Sequence, residues 1–386
     1  MKAAVVLGFV ALVTSVASTQ AAEREQALIM DLRDDARRFD AVARTQASSM
    51  EMAEARERFA AHLRDAAHLK LKNDEFLKFA EIFVLSGGGV EHIKPWKDDQ
   101  PGEMERNLIR GIVAHGSGDT TRAEAILLAI DARSLDAVRG GHLALVQALL
   151  AARTDAQRAF SYYGLARLLL PGTLVEEAAL RQSIVLAGEK LRAQEFAEAA
   201  LAYIRRFDTS TFAGDAETRI VSYLPRFEDA DGAAILERML EARPMGFGRC
   251  PVCFLTEVAQ RGVLSGRRSL VLLATGKGLA LVENDAPQKQ RLLLYQAAVE
   301  IVTDKYEGAS DTLKSLNPES FDADDAALLS ASLQLARKLR ETPKPLSDEV
   351  ALAGNRGGNR VFLGEKRVME ARAAVANADL VLQRER

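Results

Sequence analysis

The stretch that decides the reading runs from Phe160 to Phe207, FSYYGLARLLLPGTLVEEAALRQSIVLAGEKLRAQEFAEAALAYIRRF. It reads as three helices separated by two turns. Ala159, Tyr163, Ala166 and Leu170 recur at helical spacing and give the first an apolar side, and Pro171-Gly172 stops it because neither residue favours continuing the ladder. A second helix starts at once. Thr173 is placed to cap it through its hydroxyl while Glu176, three residues on, reaches back to the Thr173 amide in a capping box. Leu180, Ile184, Ala187 and Leu191 are expected on one face, with Gly188 loosening the helix end. Phe196, Ala200, Tyr203 and Phe207 make the stripe of the third helix. Glu176 and Glu177 suit a helix N-terminus, where carboxylates are favoured, and Glu177 is spaced to pair with Arg181 one turn on.

Outward from this unit a weak period appears. GDTTRAEAILLAI at Gly118, TDAQRAFSYYGLA at Thr154 and AQEFAEAALAYI at Ala193 share a short turn, a small alanine (Ala123, Ala159, Ala199) and an apolar stripe. KYEGASDTLKSLNP at Lys305, with Ala309, reads as a further copy about three periods on. Thr121 with Glu124, and Thr154 with Gln157, repeat the capping-box spacing. Small residues where two helices cross, and a period near the mid-thirties, resemble the tetratricopeptide repeat family, although its Trp-x-x-Leu-Gly opening is absent. The expected fold class is all-α: helical hairpins stacked into a tetratricopeptide-like superhelix, with a charged N-terminal helical region and a C-terminal tail helix.

Composition agrees. Of 386 residues 48% are apolar and 6% aromatic, a mixture that packs helices closely and leaves strands short of branched and aromatic residues. The net charge of −3, with Lys and Arg alternating with Asp and Glu, gives no footprint for nucleic acid. Residues 1–22 read as a signal peptide: Lys2 supplies the positive start, Ala3 to Val13 the apolar core, and Ser15-Val16-Ala17 or Thr19-Gln20-Ala21 the cleavage site. Polar Thr14, Ser15, Ser18 and Thr19 come too early for a spanning helix, so no membrane span is expected after cleavage.

Four segments follow: the signal peptide, an N-terminal helical region over 23–102, the repeat domain over 103–342, and a linker with a final helix over 343–386. In the second, Leu28, Leu32, Ala36 and Phe39 recur at helical spacing beneath a solvated face. Phe76, Phe79, Ala80 and Phe83 form an apolar helix ended by Ser86-Gly87-Gly88-Gly89. Trp96 sits in an irregular stretch between Pro95 and Pro101, read as a loop packed on the body.

Candidate chemistry is sparse. Cys250-Pro251-Val252-Cys253 has the spacing of a redox pair, but the upstream residues read as helix and loop, without the strand that frames a thioredoxin-like site. A local disulfide is preferred in an oxidising compartment, with reduced thiols, redox catalysis and metal binding as the alternatives. The five histidines are scattered, and His62 and His68, six apart, are expected on different helix faces. HExxH, GxSxG and a GxGxxG after a strand are all missing. No cofactor or metal is expected, and no catalytic residue stands out.

The segment from Phe160 to Ser183, with LARLL, PGT and VEEAALR in that order, resembles the MotC family of periplasmic chemotaxis and motility proteins. VLSGGG at Val84 to Gly89, Arg205-Arg206-Phe207 and the run from Phe321 to Pro343 add to the likeness. The resemblance implies an all-helical periplasmic protein, not an enzyme, needed for flagellar rotation. Its implied partner is the periplasmic part of the stator's B subunit, with a dedicated periplasmic chaperone as a further candidate. The matching positions Pro171, Gly172, Thr173, Glu176, Glu177 and Arg181 are expected to serve as stop, cap and ion pair, and to be candidate interface positions. A general periplasmic scaffold for envelope assembly is the alternative, and a thiol oxidoreductase the weakest one.

Overall fold

The computed structural model describes residues 2–41, 48–69, 74–94, 102–243, 250–282 and 287–340. The Trp96 loop and the linker with its final helix lie outside the described residues. Among those described, the chain is helical throughout and forms no strand.

Three helices precede the repeats: α1 (Lys2–Ala41), α2 (Ser49–His68) and α3 (Asp74–Leu85). Hairpins follow: α4 (Glu103–Gly116) with α5 (Thr120–Leu127), α6 (Ala137–Ala151) with α7 (Ala156–Leu169), and α8 (Leu174–Glu189) with α9 (Ala193–Arg206). Then come α10 (Ala213–Tyr223) followed by α11 (Asp229–Ala242), which pack on α8 and α12 and on α9 and α13 respectively, α12 (Pro251–Leu264) with α13 (Arg268–Leu281), α14 (Pro287–Glu300) with α15 (Tyr306–Ser315), and finally α16 (Ala323–Arg340). Residues 1–336 make one compact unit; of the second, 337–386, only the end of α16 is described. No helix among the described residues is long and apolar enough to cross a membrane.

The hairpins stack in two rows. Helices α6, α8, α10, α12 and α14 touch in succession, and so do α9, α11 and α13. The second helices are capped at Asp119, Asp155, Arg192, Glu228, Arg267 and Lys305, at intervals of 36, 37, 36, 39 and 38 residues. The fourth residue after each of these positions, Ala123, Ala159, Phe196, Gly232, Val271 and Ala309, is buried. The period is therefore more regular than the alanines indicate. Ala199 is not the counterpart of Ala123 and Ala159; Phe196 holds that place, and a bulky ring there hides the register from a search for small residues.

The capping boxes expected at Thr121 and Thr154 do not form. The residue that caps each helix is an aspartate instead: Asp119 accepts the amide hydrogen of Arg122 at 3.2 Å, and Asp155 that of Arg158 at 2.9 Å. Asp136 does the same for Arg139 at 3.1 Å. A short carboxylate reaches the third amide directly and adds charge at the positive end of the helix, which threonine does not. Among the described residues, the one complete capping box opens α2, between Ser48 and Glu51.

Helix ends use left-handed residues. Gly87, Gly118 and Gly266 have positive φ and let the following amide return to the last turn: Gly88 to Phe83, Asp119 to Ala114 and Arg267 to Gly262, at 2.8 to 2.9 Å. Leu191 fills the same place after α8 at φ 52, and its side chain is 55% exposed. It therefore leaves the stripe of Leu180, Ile184 and Ala187 predicted to include it. Gly188 does not loosen that helix either: it is buried against the Tyr223 ring, and a Cβ there would lie 2.3 Å from the ring carbon.

Two apolar clusters fill the unit. One gathers α1 to α8, the other α8 to α16, and α8 serves both, with Val175, Ala179 and Leu186 on one side and Leu180, Ile184 and Ala187 on the other. Leu28 and Leu32 of α1 and Phe76, Ala80 and Phe83 of α3 lie in the same cluster as α4, α6 and α7, so the helices of 23–102 share a core with the first hairpins.

Candidate functional site

The signature positions meet at the α7–α8 turn. Gly172, at φ 76, aims its own amide at the first turn of α8, where the Glu176 carboxylate accepts it at 2.5 Å. The box is thus shifted by one residue: Thr173 caps α8 without a side-chain bond, and its hydroxyl donates to the Leu170 carbonyl at 2.8 Å. Glu176 also pairs with Arg206 of α9 at 2.8 Å.

Glu177 does not pair with Arg181. Its Oε1 accepts the Tyr203 hydroxyl at 2.7 Å and the Ser210 hydroxyl at 2.5 Å, deep between α8 and α9, while Oε2 is buried with no hydrogen-bond partner. Burial pushes the Glu177 carboxyl up, against the pull of the Ser210 and Tyr203 hydroxyls and of the Arg181 charge. Burial likewise raises Tyr203, helped by the carboxylate it faces. Arg181 turns to α10 instead, 3.3 Å from Asp215 and with its guanidinium 4.3 Å over the Phe212 ring. The signature is a clasp joining α8, α9 and α10. Glu176 and Glu177 are 1% and 0% exposed, and of the six positions only Pro171 is exposed outright.

Cys250 and Cys253 are joined at the start of α12, far along the chain from this clasp. His62 and His68 both border one cleft of about 440 Å³, with Asp31 and Asp65. His62 also bonds Asp35, buried beneath it, at 2.6 Å. His142 is buried in α6, and its removal from water lowers it to about 4, keeping it neutral. Among the described residues no group of three or more histidines, cysteines and acids is placed to hold a metal ion.

What the surface offers is clefts. One, about 610 Å³, opens between the start of α4 and the segment after α5. Met104, Ile126, Ala129 and Ile130 make it apolar, Glu103 and Asp131 are its only charged residues, and both are acidic. The same segment after α5 forms a second cleft of about 300 Å³ against Ser161, Tyr162 and Leu165 of α7. Met104 is 44% exposed at the rim of the first. An apolar floor under two carboxylates and no base suits an apolar side chain flanked by lysine or arginine.

Sequence reading missed the Asp caps and a buried ion pair between Glu81 of α3 and Arg139 of α6 at 2.6 Å. Signals for both exist. Asp119, Asp136 and Asp155 each precede an arginine by three residues, and Glu81 is the one acid inside the apolar run Phe79 to Leu85.

The chemotaxis protein MotC of Rhizobium meliloti (strain 1021) is 26% identical over 287 residues, 73% of this chain and 64% of that protein. The match therefore spans less than two thirds of the relative's length. No solved structure matches the chain. The profile of the family described as chemotaxis protein MotC matches residues 2–384, nearly the whole sequence, and the chain belongs to that family.

Proposed function

We propose that this chain is a non-enzymatic adaptor of the flagellar motor, exported beyond the inner membrane, that binds the periplasmic part of the stator's B subunit and is needed for rotation. The observation that carries this is membership of a chemotaxis and motility family over nearly its whole length, joined to a body of stacked hairpins. Such stacks suit binding, because each hairpin needs only its neighbours for stability and leaves side chains along the stack for a partner. The signal peptide over 1–22 provides export. The surface we assign to the partner is the cleft between α4 and the segment after α5, with Glu103 and Asp131 at its edge.

The test has two arms. An in-frame deletion leaves flagella assembled and cells paralysed or slow, and normal swimming removes the reading. In the purified protein, Ala129→Arg puts a bulky cation into the cleft at an exposed position. It should weaken capture of the stator fragment by about tenfold or more with helix content unchanged. Unchanged capture moves the partner to another surface.

A further inference from the structure

Nothing in the motor function proposed above uses Cys250 or Cys253. Cys250 is the N-cap of α12 and Pro251 its first helical residue; the Cys250 sulfur accepts the Cys253 amide hydrogen at 3.2 Å, and the two sulfurs are bonded. Both residues are half-buried. No strand precedes α12 among the described residues, but the part of a redox site that acts on the sulfur, the helix start, is present.

The arrangement treats the two sulfurs differently. At the N-cap, first-turn amides and the positive end of the helix dipole face Cys250, and the Cys253 amide already donates to it. Cys253 lies inside the first turn without that position. Glu257 adds to the contrast: it is one turn beyond Cys253 and about two turns beyond Cys250, so its charge opposes a thiolate more strongly at Cys253. A bridge that only held a loop closed would have no use for this asymmetry. In a bridge that opens, the asymmetry decides which sulfur carries the charge.

We propose that Cys250–Cys253 is a thiol–disulfide exchange site for a protein dithiol, with Cys250 the sulfur that leaves as thiolate on opening and attacks on closing. A thiolate of the dithiol attacks the Cys253 sulfur; the bond between the two cysteines breaks and its electron pair goes to Cys250. The partner's second thiolate then attacks its own sulfur in the mixed disulfide and releases Cys253, which takes a proton. The partner ends as a disulfide, having given two electrons. Of its two protons one is on Cys253, and the other passes to solvent or to Cys250 according to pH.

The test uses the full mature protein in reduced and oxidised glutathione mixtures, with thiols trapped by alkylation and located by mass. The bridge is expected to open within the range of mixtures in which catalytic CxxC pairs titrate, not to stay closed as structural bridges of secreted proteins do. At pH 6.5 the reduced protein should alkylate about tenfold faster at Cys250 than at Cys253. With oxidised glutathione, the Cys253→Ser protein should form a mixed disulfide about tenfold faster than the Cys250→Ser protein. A bridge closed across all mixtures, equal alkylation rates, or the reverse order of the two variants overturns the proposal.

Discussion

Around Glu81 the fold buries an ion pair; around Glu177 it buries a carboxyl among hydroxyls. In the first region Glu81 and Arg139 are 0% and 7% exposed, 2.6 Å apart, and Arg139 also reaches Glu105 of α4 at 2.7 Å, so one guanidinium ties α3, α4 and α6. In the second region Tyr203 and Ser210 hold Glu177, and the pattern recurs further on, where the Tyr295 hydroxyl donates to Asp325 at 2.6 Å. There Arg291 adds a pair to Asp325 at 2.7 Å, so α14 and α16 are joined by a hydroxyl and a charge together. Once ionised, above about pH 8, the Glu81 carboxylate is stable only while its guanidinium partner remains, whereas a carboxyl among neutral donors can hold its proton when one of them is lost. The first arrangement therefore fixes the position of three helices at the cost of tolerance, and the second joins neighbouring helices and tolerates change.

The strongest way to break this contrast is Arg139→Met. Near pH 9, where the Glu81 carboxyl is ionised, it leaves Glu81 buried without its cation and should cost about 3–5 kcal/mol in urea unfolding, with most of the loss recovered in the Glu81→Leu, Arg139→Met double variant. A loss under about 1 kcal/mol would mean the pair is not confined as the structure shows.

The pH dependence comes next. Burial pushes the Glu81 carboxyl up to about 8 despite the charge of Arg139, while Glu105 and Asp136 push the same way as burial. A carboxyl whose folded value is raised gives its stabilisation in full below its unfolded value near 4.5 and loses it as pH rises through about 8. Wild type and Glu81→Gln should therefore match near pH 4, and the variant should be the more stable by on the order of 2 kcal/mol near pH 9. Thermal unfolding of both across that range checks it. Glu177 and Glu217 are also raised, the latter to about 7 through burial and the Glu257 charge, and comparing the two proteins cancels their share.

Smaller effects sharpen the second region. Tyr203→Phe removes one of two donors to Glu177 and should cost about 1–2 kcal/mol; Tyr295→Phe should cost about 1 kcal/mol, because Arg291 still holds Asp325. The reverse order in chemical denaturation would show that the hydroxyl, not the guanidinium, carries the α14–α16 joint. The smallest change lies at the seam, where α8 serves both cores. Leu191→Gly relieves a left-handed leucine and should raise stability by about 1 kcal/mol without altering the difference between Arg139→Met and Tyr203→Phe.

Much of the fold was legible. Helical spacing from Phe160 to Phe207, the stop at Pro171-Gly172 and the glycine stop after Leu85 depend on neighbours within a turn or two, and the structure keeps them. The candidate site was less so. Thr173 and Glu176 have the spacing of a reciprocal cap, yet a residue with positive φ shifted the bonds to Gly172, and no pattern of side chains encodes that rotation of one amide. Glu177 and Arg181 have the spacing of a pair, yet each finds a better partner on another helix. The cleft beside Asp131 joins residues from α4 and from the segment after α5 that share no motif.

The sequence by itself determined that this is a chain of helices, where those around Phe160 to Phe207 and the one ending at Leu85 stop, and which family it belongs to. Those properties follow from period, cap and turn chemistry, which act over a few residues. Only the tertiary structure decided the even spacing of the hairpins, the inward direction of the signature acids and the ion pair at Glu81. These depend on which faces meet across the stack, and burial then sets whether a carboxyl is charged, paired or protonated.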